Sequence, residues 1–197
     1  MTMKKALIPL CFFATNAYAI DDYSISVYAG QNFNQSLETK ESIEVELKDN
    51  HHLALSIDRN IDKARYGFFY SKSKNDFSTE ADKHVTMQYL LFQSAVEVPI
   101  SNHFNGYVGA QLGANYVQTN FSANDVFFAS GLFGGVEYLF SDQVRILFET
   151  RWLATIVNND SVIDCTLPAT KNEQCLWHFD GDVLNQFQTS LGFTFRF

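Results

Sequence analysis

The chain has 197 residues, enough for one domain, and its 22 acidic against 14 basic side chains leave a net charge of −8. A balance so acidic gives no electrostatic reason to hold nucleic acid. No run of about eighteen apolar residues is present, which excludes a transmembrane helix, so the 19 phenylalanines and 9 tyrosines must be sorted by a different pattern.

In chain order the first element is an export signal. Lys4 and Lys5 precede an apolar run over residues 6–14, and Ala17-Tyr18-Ala19 puts small residues at the two positions a signal peptidase reads. This is the pattern of a secretory signal peptide over residues 1–19, with cleavage expected after Ala19 and a mature domain over 20–197. The run is too short to span a bilayer, and Pro9 argues against a buried helix. Cys11 follows Leu10 rather than a small residue, so it reads as part of the signal's apolar core and not as a lipid attachment site. Loss of the two lysines takes the mature charge to −10, because every acid lies beyond residue 20.

Eight segments follow, each alternating with period two, which predicts strands with one apolar face. Over 23–33, Ile25, Val27 and Ala29 oppose Ser24, Ser26 and Tyr28. Over 45–59, Leu53, Leu55 and Ile57 oppose His52, Ser56 and Asp58. Over 64–73, Tyr66, Phe68 and Tyr70 oppose Arg65, Gly67 and Ser71. Over 85–98, Leu90, Phe92 and Val96 oppose Gln93, Ala95 and Glu97. Over 104–117, Val108, Leu112 and Tyr116 oppose Tyr107, Gln111 and Asn115. Over 126–140, Phe128, Leu132 and Tyr138 oppose Ala129, Gly131 and Glu137. Over 144–157, Ile146, Phe148 and Trp152 oppose Arg145, Glu149 and Arg151. Over 184–197, Leu191, Phe193, Phe195 and Phe197 oppose Ser190, Thr194 and Arg196.

These segments are longer than a typical strand of about five or six residues and suit a tilted strand crossing a bilayer, which needs about nine to eleven. The connections 60–63, 99–103 and 141–143 are short; 34–44, 74–84, 118–125 and 158–183 are long. Short turns at one end and long loops at the other predict an all-β fold: an eight-stranded antiparallel up-and-down transmembrane β-barrel, with both mature termini on the periplasmic side. The rival is a soluble barrel with its apolar face turned inward. The polar faces are rich in Gly, Ser and Gln and poor in Lys, which suits a cramped interior better than a solvated surface. Tyr66, Tyr138, Phe140, Phe195 and Phe197 fall near segment ends, where a membrane barrel carries its aromatic girdle.

The inward faces carry four acids, Asp58, Glu97, Glu137 and Glu149, and four arginines, Arg65, Arg145, Arg151 and Arg196. An eight-stranded barrel is only wide enough for side chains to fill, and an unpaired charge there costs several kcal/mol. The balance predicts one interlocked salt-bridge network that plugs the interior. The alternative is a narrow channel for small solutes, with Gly109, Gly113, Gly131 and Gly135 marking a small-residue path.

The signal peptide, the eight alternating segments, the Arg/Glu interior and the terminal LGFTFRF together resemble the small eight-stranded outer-membrane barrels of the OmpA transmembrane domain and OmpX type. The resemblance covers the whole mature chain. It implies that Phe193, Phe195 and Phe197 form the signal by which the barrel-assembly machinery recognises its clients. It further implies contact with outer-membrane lipid and lipopolysaccharide, and a role as structural protein, adhesin, host-factor binder, narrow channel or lipid A-modifying enzyme.

In an exported chain two nearby cysteines form a disulfide, so Cys165 and Cys175 are expected to close a ring in the longest loop. Trp177 and Phe179 follow it, either as anchors for a partner or as part of the aromatic belt. The loop is acidic, yet no spacing matches a calcium site, and neither metal nor cofactor is expected. The histidines are His51, His52, His84, His103 and His178; none stands in a His-x-Ser or Gly-x-Ser-x-Gly motif, and an enzyme is not expected. The reading is a plugged outer-membrane barrel with a structural or surface-interaction role, its loops meeting a host-surface or serum protein.

Overall fold

The computed structural model describes residues 23–34, 37–38, 44–45, 49–76, 84–119, 124–157 and 183–197. They form ten strands: β1 Tyr23–Asn34, β2 Leu37–Glu38, β3 Glu44–Val45, β4 Asn50–Ile61, β5 Ala64–Asp76, β6 His84–Pro99, β7 Phe104–Thr119, β8 Asp125–Leu139, β9 Val144–Ile156 and β10 Val183–Arg196. Eight of them close an antiparallel up-and-down barrel in the order β1-β10-β9-β8-β7-β6-β5-β4, and β2 pairs with β3 as a separate short ladder. The segment expected to begin at Val45 therefore begins at Asn50, and Val45 instead opposes Leu37.

Closure joins β1 to β10 from Ser24 opposite Arg196 to Asn34 opposite Gln186. Tyr23 and Phe197 seal its end with reciprocal N–H to carbonyl bonds of 3.2 and 2.9 Å. Every strand edge of the barrel is paired, which is what a lipid solvent demands of a backbone it cannot hydrogen-bond.

The three short turns lie at the same end as these two residues. Between β4 and β5, Asp62 takes a left-handed φ of 50°, a region Asp tolerates better than most residues. The other two turns share one design. The N–H groups of Ile100 and Ser101 both donate to Phe104 O, at 2.9 and 3.0 Å, and those of Phe140 and Ser141 both donate to Val144 O, at 3.0 and 3.1 Å.

Burial alternates along the strands with the predicted phase, every second residue being buried from Ser24 to Tyr28 in β1 and from His52 to Asn60 in β4. The large apolar residues of that alternation are on the outside: Leu53 is 70% exposed and Leu191 65%. A soluble barrel would bury that face; here it is the surface, and the fold is a transmembrane one. Among its aromatics Phe68 and Phe92 meet edge to face at 5.8 Å, and His103 stacks on Tyr138 beside a short turn.

Candidate functional site: the barrel interior

The inward faces hold the chemistry. Near the short-turn end Arg65 of β5 and Arg145 of β9 converge on Glu137 of β8. Arg65 Nη1 donates to Glu137 Oε1, and Arg145 Nη1 donates to Glu137 Oε2 at 2.8 Å. Glu97 of β6 faces the same two guanidinium groups at 3.8 and 3.5 Å. Two arginines and two carboxylates thus neutralise one another, and the Glu137 side chain is wholly buried.

A second cluster lies at mid-barrel around Arg151 of β9. Its Nε donates to Glu149 Oε1 at 2.5 Å, its Nη1 to Gln111 Oε1, and its Nη2 to Gln93 Oε1 at 2.9 Å. Aromatic rings cover the guanidinium: Cζ stands 3.6 Å from the Phe69 centroid and 4.3 Å from that of Phe133, with Tyr28 further out at 5.8 Å. A planar cation with in-plane acceptors and rings over it is held by hydrogen bonds and cation–π attraction together.

The predicted single network is therefore two clusters, and Tyr107 joins them. Its hydroxyl donates to Glu149 Oε2 at 2.8 Å, while its ring lies 4.0 Å beneath the Arg65 guanidinium. Asp58 belongs to the mid-barrel cluster, reached through amides and hydroxyls, with no direct ion pair among the described residues. Gln93 Nε2 donates to its Oδ1 at 2.8 Å and Ser56 Oγ to its Oδ2 at 2.7 Å. Arg196 is half-buried at the short-turn mouth, where its backbone N–H donates to Gln143 O at 2.8 Å. The outward Phe193, Phe195 and Phe197 are exposed. Cys165, Cys175, Trp177, Phe179, His178 and the signal segment 1–19 lie outside the described residues.

The clamp residues Phe69 and Phe133, and the bridges Tyr107, Gln93 and Gln111, carry the site without being among the predicted charges. Beyond them, toward the long-loop end, the interior is lined by apolar side chains that include Met87, Tyr89, Leu91, Leu153 and Leu184. Polar side chains of β1 and β5 share this part of the lumen, with Asn32 and Asn75 wholly buried. There His52 Nε2 and Ser190 Oγ lie 2.8 Å apart, spanning Gly30, which opposes both in the register. His52 Nδ1 has no hydrogen-bond partner among the described residues. Among the described residues no group of three or more His, Cys, Asp or Glu side chains could hold a metal ion.

Of the four glycines of the small-residue path, Gly109 and Gly135 are roofed by rings of the plug. A Cβ on Gly109 would stand 2.6 Å from Phe133 Cζ, and one on Gly135 would stand 2.6 Å from the Tyr107 hydroxyl. The missing side chains make room for the rings that fill the lumen.

No protein-family model matches the chain, and no curated protein matches it by sequence. Solved structures do match in shape. Neisserial surface protein A aligns over 90% of this chain and 97% of its own at 12% identity, with a TM-score of 0.59. Outer membrane protein AlkL, solved in lipid bilayers, aligns over 99% and 97% at 13% identity and a TM-score of 0.58. Outer membrane protein H of P. aeruginosa aligns over 88% and 99% at 20% identity and a TM-score of 0.54. At such identities the likeness is one of architecture, and it agrees with the resemblance drawn from the alternating segments: the chain has the fold of the small eight-stranded outer-membrane β-barrels.

Proposed function

We propose that the protein is a plugged outer-membrane scaffold, exported by its signal segment and inserted by the barrel-assembly machinery. Its work is adhesion or host-factor binding by the loops at the long-loop end. The observation that supports this reading is the Arg151 clamp. Three acceptors in its plane and two close aromatic rings fill the middle of the lumen, which leaves the surface as the place for function. In the same reading Cys165 and Cys175 tie the last loop, and the four short ends, three turns and the closure, face the periplasm.

Single-channel recording in a planar bilayer tests the plug. The wild type is expected to give no steps, while Arg151→Ala, which empties the clamp, is expected to open brief ones. Steady wild-type steps would replace the scaffold with a narrow solute channel. The surface role has its own measurement. Replacing residues 158–182 by a short Gly/Ser turn is expected to abolish binding to host cells or serum proteins while the barrel still folds. Retained binding would move the role away from that loop.

A further inference from the structure

The apolar belt on the outside of the barrel does not end at the same level all round. The register aligns Leu55, Tyr70, Leu90, Ala114 and Phe128 in one outward row across β4 to β8. One step toward the long-loop end the row reads Leu53, Lys72, Gln88, Tyr116 and Val126, and one step further β5 to β7 present Lys74, Thr86 and Gln118. On the remaining strands the outward side chains at the same end are mixed: Phe33, Val126, Ile156 and Val183 are exposed and apolar, whereas Gln31 and His51 are exposed and polar. Among the described residues, the exposed lysines at this end belong to β5 alone.

The outward wall of β5 to β7 is organised. Tyr70 donates from its hydroxyl to Gln88 Oε1 at 2.8 Å, Gln88 Nε2 donates to Gln118 Oε1 at 2.9 Å, and Gln118 Nε2 donates to the Tyr116 hydroxyl at 3.4 Å. A ladder of side chains thus crosses three strands on the outer surface. Lys72 and Lys74 are exposed at its edge, and their alternate positions on one strand put them about 7 Å apart. Neither ammonium has a carboxylate partner among the described side chains.

A lysine on the lipid face costs about 2–4 kcal/mol at the bilayer midplane and about 0–1 near the interface. Tyrosines such as Tyr70 and Tyr116 settle at that interface. The two lysines therefore stand at headgroup level. On a chain of net charge −8, a paired cationic patch directly above an apolar belt is complementary to an anionic lipid headgroup. The amide ladder beside it offers donors and acceptors suited to sugar hydroxyls, which a glycolipid presents in a larger and more rigid array than a glycerol headgroup does.

We propose that the outward wall of β5 to β7 is a docking site for a phosphorylated glycolipid of the surrounding leaflet. Its phosphate lies between Lys72 and Lys74, its sugar hydroxyls meet Gln88 and Gln118, and its acyl chains lie along Leu53 and Leu90. The proposal rests on the outer-membrane placement argued above.

The test uses the refolded full chain in detergent micelles and native mass spectrometry of bound lipid, with bis-phosphorylated lipid A as the probe. Dephosphorylated lipid A, phosphatidylglycerol and inorganic phosphate are the controls. The wild type is expected to retain lipid A in preference to all three. K72Q/K74Q is expected to bind it about thirtyfold more weakly, two surface cations being worth about that factor. Gln88→Ala with Gln118→Ala is expected to erase the preference over phosphatidylglycerol. Equal binding by K72Q/K74Q, equal retention of phosphatidylglycerol by the wild type, or competition by inorganic phosphate would overturn the site. Insertion of every variant into phosphatidylcholine vesicles is measured alongside. A wild type that fails to insert would refute the membrane placement itself, whereas normal insertion with unchanged lipid A binding would refute only this site.

Discussion

Glu137 is the acid on which the short-turn cluster depends. It receives two guanidinium groups in a side chain closed to water, whereas Glu97 faces the same groups at 3.5 and 3.8 Å with 12% of its side chain open. Removing one member of a buried pair leaves an uncompensated charge and costs about 3–5 kcal/mol. Glu137→Ala is expected to lose about that much in urea unfolding from lipid vesicles. Glu97→Ala, at longer range and partly solvated, is expected to lose about 1 kcal/mol. Equal losses would mean that the four charges act as a diffuse field and not through the bonds at Glu137. Arg151 makes a related point about residue type. Its fork serves Glu149, Gln111 and Gln93 at once while its face takes the Phe69 ring. A lysine is a point charge and could not do both.

At the scale of the strand, most of the architecture was legible. The phases of all eight long segments are observed as read, because a slip of one residue would turn every apolar side chain from lipid to lumen. The second layer of the interior was not legible. Phe68-Phe69, Leu90-Leu91, Leu132-Phe133 and Trp152-Leu153 are adjacent apolar pairs, and in each the second residue points inward and is buried. A face labelled polar from its Gly, Ser and Gln conceals such residues, although the parity of the strand assigns them correctly. The division of the charges into two clusters was hidden for a different reason. Tyr107 reaches Glu149 and Arg65 across the lumen, and contacts of that kind depend on the tilt and stagger of the closed barrel, which no single strand encodes. The start of β4 shows the opposite error. Val45 continues the alternation on paper, yet pairs locally with Leu37, since periodicity marks residues able to join a ladder and not which ladder they join.

For the barrel as a whole the solvent is inverted: the paired Arg and Glu side chains lie inside, and most of the large aliphatic and aromatic side chains of the described strands lie outside. If hydrocarbon is what accepts that surface, a charge placed on it must cost according to depth. Leu112 sits at the middle of β7, 55% exposed, in an outward row with Phe92 and Phe68. Leu112→Arg is expected to lower the unfolding free energy from vesicles by about 2–4 kcal/mol, the range for a midplane arginine. Thr86→Arg, on the same outer surface but beside Lys74, is expected to cost about 0–1 kcal/mol at headgroup level. Both positions lie outside the lumen, so neither substitution touches the Arg151 clamp, and single-channel silence should survive in each. Water around this same outer surface predicts the reverse order, because an arginine on a water-exposed face costs little and Thr86, already half-buried, would be the less tolerant site. The ratio of the two costs thus separates a lipid-facing surface from a solvated one without reference to what the loops bind.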